Sequence, residues 1–78
     1  MEKGEKREVS FENKKHIGVI AEYKTGWKKE LNLISWNEGP EKYDIRDWDE
    51  KHNHMSKGIT LHPEEAKALL ALLKTEKF

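Results

Sequence analysis

Apolar and polar residues alternate along much of the chain, and the alternation breaks at clusters of Gly, Pro, Asn and Asp. Val9 and Phe11 begin one run, which lapses through Asn13 to Lys15 and resumes at Ile17, Val19, Ala21 and Tyr23. A period of two is what a half-buried strand needs, because successive side chains point to opposite faces. Lys24-Thr25-Gly26 then forms a hairpin turn, with Gly supplying a positive φ. In the next strand, WKKELNLISW, Leu31 and Leu33 share one face and Glu30, Asn32, Ile34 and Trp36 the other. The second set mixes polar groups with large apolar ones, so that face is expected to lie outside the core. Asn37-Glu38-Gly39-Pro40 is a second turn, and Pro40 has no N–H for a ladder. A third strand, Lys42 to Trp48, divides into Tyr43 and Ile45 on one side and Asp44, Arg46 and Trp48 on the other.

Asp49 to Ser56 shows no apolar period and reads as a loop. Gly58 to Leu61 is a short last strand with Ile59 and Leu61 inward. Pro63 suits the first helical position, Glu64 and Glu65 meet the positive end of the helix dipole, and His62 is a weak cap. Ala66, Leu69, Leu70 and Leu73 form a helical stripe wide enough to cover a sheet, while Ala68, Ala71 and Leu72 lie off it. That residual apolar surface, on a chain of 78 residues, favours a second copy as partner over a monomer with an exposed Leu72. The dimer contact is assigned to Ala68, Leu69, Leu72 and Leu73. The expected fold is α+β: a four-stranded antiparallel sheet followed by a C-terminal helix, homodimeric. Residues 1–8 are expected to be a disordered charged tail and residues 9–78 a single domain.

Composition narrows the class. Charged residues make up 38% and cysteine is absent, so neither a disulfide framework nor a thiolate metal site is available. Without a long apolar run or the apolar core of a signal peptide, the expected setting is cytoplasmic, with nucleoid association open to a bacterial protein. Net charge is zero, which counts against a nucleic-acid binder. Cations nevertheless outnumber anions in residues 1–30 and are outnumbered in 31–56, so a basic face with an acidic back is compatible with the total.

The chemistry suggested most strongly is single-strand binding. Trp27, Lys28, Lys29, Trp36, Lys42, Arg46, Trp48 and Lys57 combine flat rings for base stacking with cations for phosphates. Arg46 and Trp48 stand two apart on one strand and point the same way, with Trp36 able to sit beside them. Trp is more often simply core. Trp36 and Trp48, which share faces with Asn32, Asp44 and Arg46, are expected open to solvent, and Trp27 fits either role. His52-Asn53-His54 beside Asp47, Asp49 and Glu50 matches no standard zinc or calcium spacing and reads as a solvated loop. No serine stands in a triad context and no Gly-rich phosphate loop occurs, so neither an enzyme, a cofactor nor a small-molecule substrate is expected.

The strings KYDIRDW and KGITLHPEEAKALL resemble the positive-cofactor-four family of single-stranded-DNA-binding transcriptional coactivators, most closely its small bacterial members. The resemblance spans roughly Gly26 to Leu73. It implies four antiparallel strands and a helix, a homodimer, and single-stranded DNA across curved sheets. By position Arg46 matches the family's DNA-facing arginine, Trp36 an aromatic ending the second strand, and Lys29 and Lys57 backbone-contacting cations. Trp48 is similar to an aromatic near the end of the third strand, offset by one residue. Ile34 and Trp27 stand where eukaryotic members have cations, the loop after Trp48 is shorter, and their serine-rich basic region is not among these residues. A homodimer binding single strands through the sheet face is therefore expected, in transcription, replication or repair. Trp36→Ala and Arg46→Ala are expected to weaken that binding without unfolding the chain. Stacking does not sense the 2′-hydroxyl, so these residues do not separate DNA from RNA. The rival is a protein-interaction module using the same Trp and Arg residues.

Overall fold

The computed structural model describes residues 10–78, and the tail expected over residues 1–8 lies outside the described residues. Four strands, β1 (Phe11–Glu22), β2 (Lys28–Trp36), β3 (Glu41–Trp48) and β4 (Ile59–Leu61), form one antiparallel sheet in sequential order, and α1 (Pro63–Leu73) follows. Each hairpin has a local cause. Gly26 adopts φ +95 and donates its N–H to the Tyr23 carbonyl at 3.0 Å, closing β1 on β2. Asn37 and Glu38 both take positive φ, 50 and 63, and Gly39 N–H reaches the Trp36 carbonyl at 2.8 Å. That is the two-residue turn whose twist matches the flanking strands. Gly58 lies so close to β3 that a Cβ there would collide with the Ile45 carbonyl and the Arg46 Cβ.

β1 departs from simple alternation. Its register against β2 shifts between Asn13 and Lys15, between His16 and Gly18, and between Val19 and Ala21. Lys14, Ile17 and Ile20 are the extra residues, and each one resets which face the next side chain takes. Ile17, Val19, Ala21 and Tyr23 therefore do not form the single apolar face that their spacing suggests. Val19 and His16 oppose Glu30 and Asn32, while Ala21 and Gly18 oppose Lys29 and Leu31.

The bulges also coil the sheet. Phe11 is the ladder partner of Trp36, and Lys28, eight positions earlier on β2, is the partner of Trp48 (36 − 28 = 8). On a flat sheet Phe11 and Trp48 would stand about 28 Å apart. Their ring centroids are 5.7 Å apart, so the mixed face is the inside of a strongly curved sheet whose ends meet. Asn32, Ile34 and Asp44, on the floor of this concavity, have 0% exposure. The expectation that the Glu30-Asn32-Ile34-Trp36 face lies outside the core is overturned, because curvature folds that face onto itself.

The apolar face has the opposite fate. Leu31, Tyr43, Ile45 and Leu61 line an open groove of about 540 Å³ with Ile17 and the helix residues Ala66, Leu69, Leu70 and Leu73. The helix starts as expected, with Pro63 in its first turn and Glu65 accepting the His62 backbone N–H at 2.7 Å. It has no buried residue, and Leu70 and Leu72 keep 55% and 67% exposure. Ile59, expected inward, is 54% exposed.

Candidate nucleic-acid interface

Side chains from three strands and one loop close over the mixed face. The register sets Lys28, Glu30, Asn32 and Ile34 of β2 opposite Trp48, Arg46, Asp44 and Lys42 of β3, all on one side of the sheet. Phe11 packs on Trp36 with centroids 5.4 Å apart, and the Arg46 guanidinium lies 4.9 Å from the Trp36 ring centroid. A cation over an indole face is attracted by the ring quadrupole, and Arg also covers it with its own plane. Arg46 is itself held by Asp44, whose carboxylate accepts from Nε at 2.7 Å and Nη2 at 2.8 Å, and by the Ser56 carbonyl at 3.3 Å.

Beside this pair runs a second polar chain. His16 Nδ1 donates to Asn32 Oδ1 at 2.7 Å, and Asn32 Nδ2 donates to Glu30 Oε1 at 3.1 Å. His52 Nε2 donates to the same Glu30 oxygen at 2.9 Å. Burial by itself pushes the Glu30 carboxyl up. The hydrogen bonds from His52 and Asn32, with the charge of His52 and His16, together outweigh burial and hold the group below the usual carboxylate range. Glu30 and Asp44 are thus buried and partnered, whereas Lys28, Lys42 and, beside Lys28 on β1, Glu22 remain half-exposed or exposed.

The expected site residues divide. Trp36 and Arg46 meet as foreseen, with Lys28 and Lys42 on the same face, but Trp36 is not open to solvent as expected: it is half-buried, because Phe11 and the Arg46 guanidinium pack on its ring. Trp48 is not open to solvent: at 1% exposure it is sealed by Phe11 and by His52, whose ring stacks on it at 3.9 Å and 5°. The cover is the loop after β3, brought back by a bridge between Trp48 and Met55, and not the C-terminal helix. Neither Trp36 nor Trp48 finds an acceptor for its buried indole N–H among the described residues. Lys29 falls on the groove face, where Asp47 takes its ammonium at 3.0 Å and raises its pKa. Trp27 sits half-buried in the first turn, at the far end of β2 from Trp36. Lys57 is exposed, between Ser56 and Gly58, both of which abut Arg46.

Two participants escape sequence reasoning. Phe11 looked like a strand residue, and only its pairing with Trp36 across the bulged ladder puts it in the cluster. His52 belongs to a loop that is solvated as expected, yet it has a further role: it adopts φ +65, donates its N–H to the Asp49 carbonyl at 2.9 Å and covers Trp48 while staying exposed itself. No spacing signal announces this, since a left-handed turn at a histidine leaves no periodic trace. The loop is further fixed by Asp49, whose carboxylate accepts the His54 N–H at 2.7 Å, an interaction that lowers its pKa.

Comparison with known proteins agrees with this architecture. An uncharacterized protein of Treponema pallidum (strain Nichols) is 43% identical over 65 residues, covering 83% of this chain and 76% of that protein. Residues 23–72 match the family model described as Transcriptional Coactivator p15 (PC4), a stretch that runs from the first turn to the last turn of α1. No described helix is long and apolar enough to cross a membrane. The family is a nucleic-acid-binding, non-enzymatic one associated with single-stranded DNA and transcription. The matched stretch holds the β1–β2 turn, three of the four strands (β2, β3 and β4) and all but the last residue of α1, and this chain belongs to the Transcriptional Coactivator p15 (PC4) family.

Proposed function

We propose that the protein binds single-stranded DNA as a homodimer, with little regard for sequence and without catalysis, in transcription, replication or repair. The observation that carries this reading is the charge arrangement of the mixed face. The carboxylates on its floor, Glu30 and Asp44, are buried and neutralised, while Lys28 and Lys42 stay half-exposed beside a packed aromatic cluster; Glu22, the ladder partner of Lys28, is the exposed carboxylate at that edge. A chain of zero net charge therefore offers an anion-seeking rim where bases can stack. In this reading bases stack on Phe11 and Trp36, and Lys28, Lys42 and Lys57 meet phosphates. Arg46 positions the Trp36 ring instead of reaching for the backbone. Trp48 supports the cluster from within, and Lys29 stays paired with Asp47 on the opposite face.

The dimer follows from the groove. Only Ile34 and Trp48 are fully buried hydrophobics among the described residues, too small a core for a chain this short. The helix stripe and the apolar sheet face, left open to each other, are half of the missing core. A second copy supplying Leu69 and Leu73, with Ala68 and Leu72 at the edge, would complete it.

A fluorescence titration with single-stranded and duplex oligonucleotides at two salt concentrations tests the binding. Oligothymidine should quench tryptophan emission, bind better than duplex, and lose ~0.7 log units of affinity per log unit of salt for each phosphate neutralised. Trp36→Leu, which keeps an apolar filler but no stacking plane, should bind about tenfold more weakly. No affinity at low salt would end the proposal. Burial of the same rings by a protein partner, with indifference to oligonucleotides, would favour an interaction module instead.

A further inference from the structure

The ring of His52 lies flat on the Trp48 indole, centroids 3.9 Å apart and planes within 5°. Trp48 keeps 1% exposure, but the His52 side chain keeps 41%. One imidazole face is covered by the indole, so the solvent-facing surface is the opposite face and its edge. That ring is held from several directions. Its Nε2 donates to Glu30 at 2.9 Å, and its backbone N–H donates to Asp49 at 2.9 Å. Its φ of +65 is a left-handed conformation that non-glycine residues seldom keep unless their surroundings enforce it. Little rotamer freedom is left for such a ring to lose when a flat partner lands on it. Lys28 is the ladder partner of Trp48 and shares its face, which sets a cation beside the stack.

We infer that His52 is a base-stacking residue of this interface: an unpaired nucleobase lies on the outer face of the imidazole, with its phosphate toward Lys28. Trp48 is the buttress beneath and touches no base. This rests on the single-strand reading above and adds a residue to it. The base completes a three-layer stack of indole, imidazole and nucleobase. The imidazole needs no displacement, so the bonds to Glu30 and Asp49 persist in the complex.

Two substitutions separate the ring from its hydrogen bond. His52→Gln keeps a donor for Glu30 but has no ring, whereas His52→Phe keeps a ring but no donor. Each is titrated, beside wild type, with oligothymidine and with an abasic strand of equal length. The expected result is roughly tenfold weaker oligothymidine binding by His52→Gln and near-wild-type binding by His52→Phe. On the abasic strand both should match wild type. Affinity that follows the Glu30 hydrogen bond, lost in Phe and kept in Gln, overturns the inference. So does tighter binding by His52→Gln, which would mean that bases seat on the bared indole of Trp48. Unchanged binding by His52→Gln beside a wild type that binds sinks His52 alone. A folded wild type that ignores oligothymidine sinks the single-strand reading, and this inference with it. Thermal melts monitor folding, and His52→Asn, which also lacks the stacking ring, replaces His52→Gln if that variant does not fold.

Discussion

The Arg46 guanidinium meets Asp44 through paired hydrogen bonds in a hollow where the Asp44 side chain has 0% exposure and Arg46 only 14%. Removing one partner of such a pair strands the other as a buried charge. Arg46→Ala should therefore lower stability by on the order of 3 kcal/mol, read from urea denaturation. It should not behave as the clean binding mutant that its position in the sequence suggests. Loss of oligothymidine affinity with unchanged stability would refute this. Glu30 makes a different prediction. Its folded pKa is depressed, so its contribution is fully present above its ordinary value of about 4.5 and is lost as pH falls through the lower folded value. The melting temperature of wild type should fall more steeply below pH 4.5 than that of Glu30→Gln, and parallel profiles would show that the His52 and Asn32 bonds contribute nothing.

Among the elements, turns and strands differ in how plainly they are written. Gly26 and the Asn37-Glu38-Gly39 segment sit where the polar clusters put them, because positive φ is restricted to few residue types. Glu38 is the exception, a long side chain at φ 63. Glu38→Gly gives the Asn-Gly pair that this turn favours, and should raise stability by about 1 kcal/mol, measured by thermal unfolding. A drop would mean that Glu38 makes a contact worth more than the strain. β1 was the least legible element. Its interrupted alternation was visible at Asn13 to Lys15, but the inserted residues Lys14, Ile17 and Ile20 are defined only against β2. A bulge is a property of two strands, and one strand's sequence cannot locate it.

For the whole molecule, the unusual feature is that the polar-looking face is closed and the apolar-looking face is open. Concavity seals the first, while the second awaits a cover that α1 does not provide. Leu69 lines that groove and is 38% exposed. Leu69→Glu should turn a dimer into a monomer by sedimentation and remove the concentration dependence of the melting temperature. If wild type already sediments as a monomer at tens of micromolar, the groove has another occupant or none.

Taken alone, the chain's alternation and punctuation marked out the four strands, both hairpin turns, the Pro63 start of the helix and the partition of β3 into Tyr43-Ile45 and Asp44-Arg46-Trp48. These are local matters, decided by φ preferences and by which neighbours share a face. Curvature was decided by tertiary structure, and with it the burial of Trp48, the capture of Arg46 by Asp44 and the placing of Phe11 and His52 against the indoles. Periodicity assigns a residue to a face, but which face closes depends on contacts between residues far apart in the chain, here Phe11 with Trp48 and Glu30 with His52.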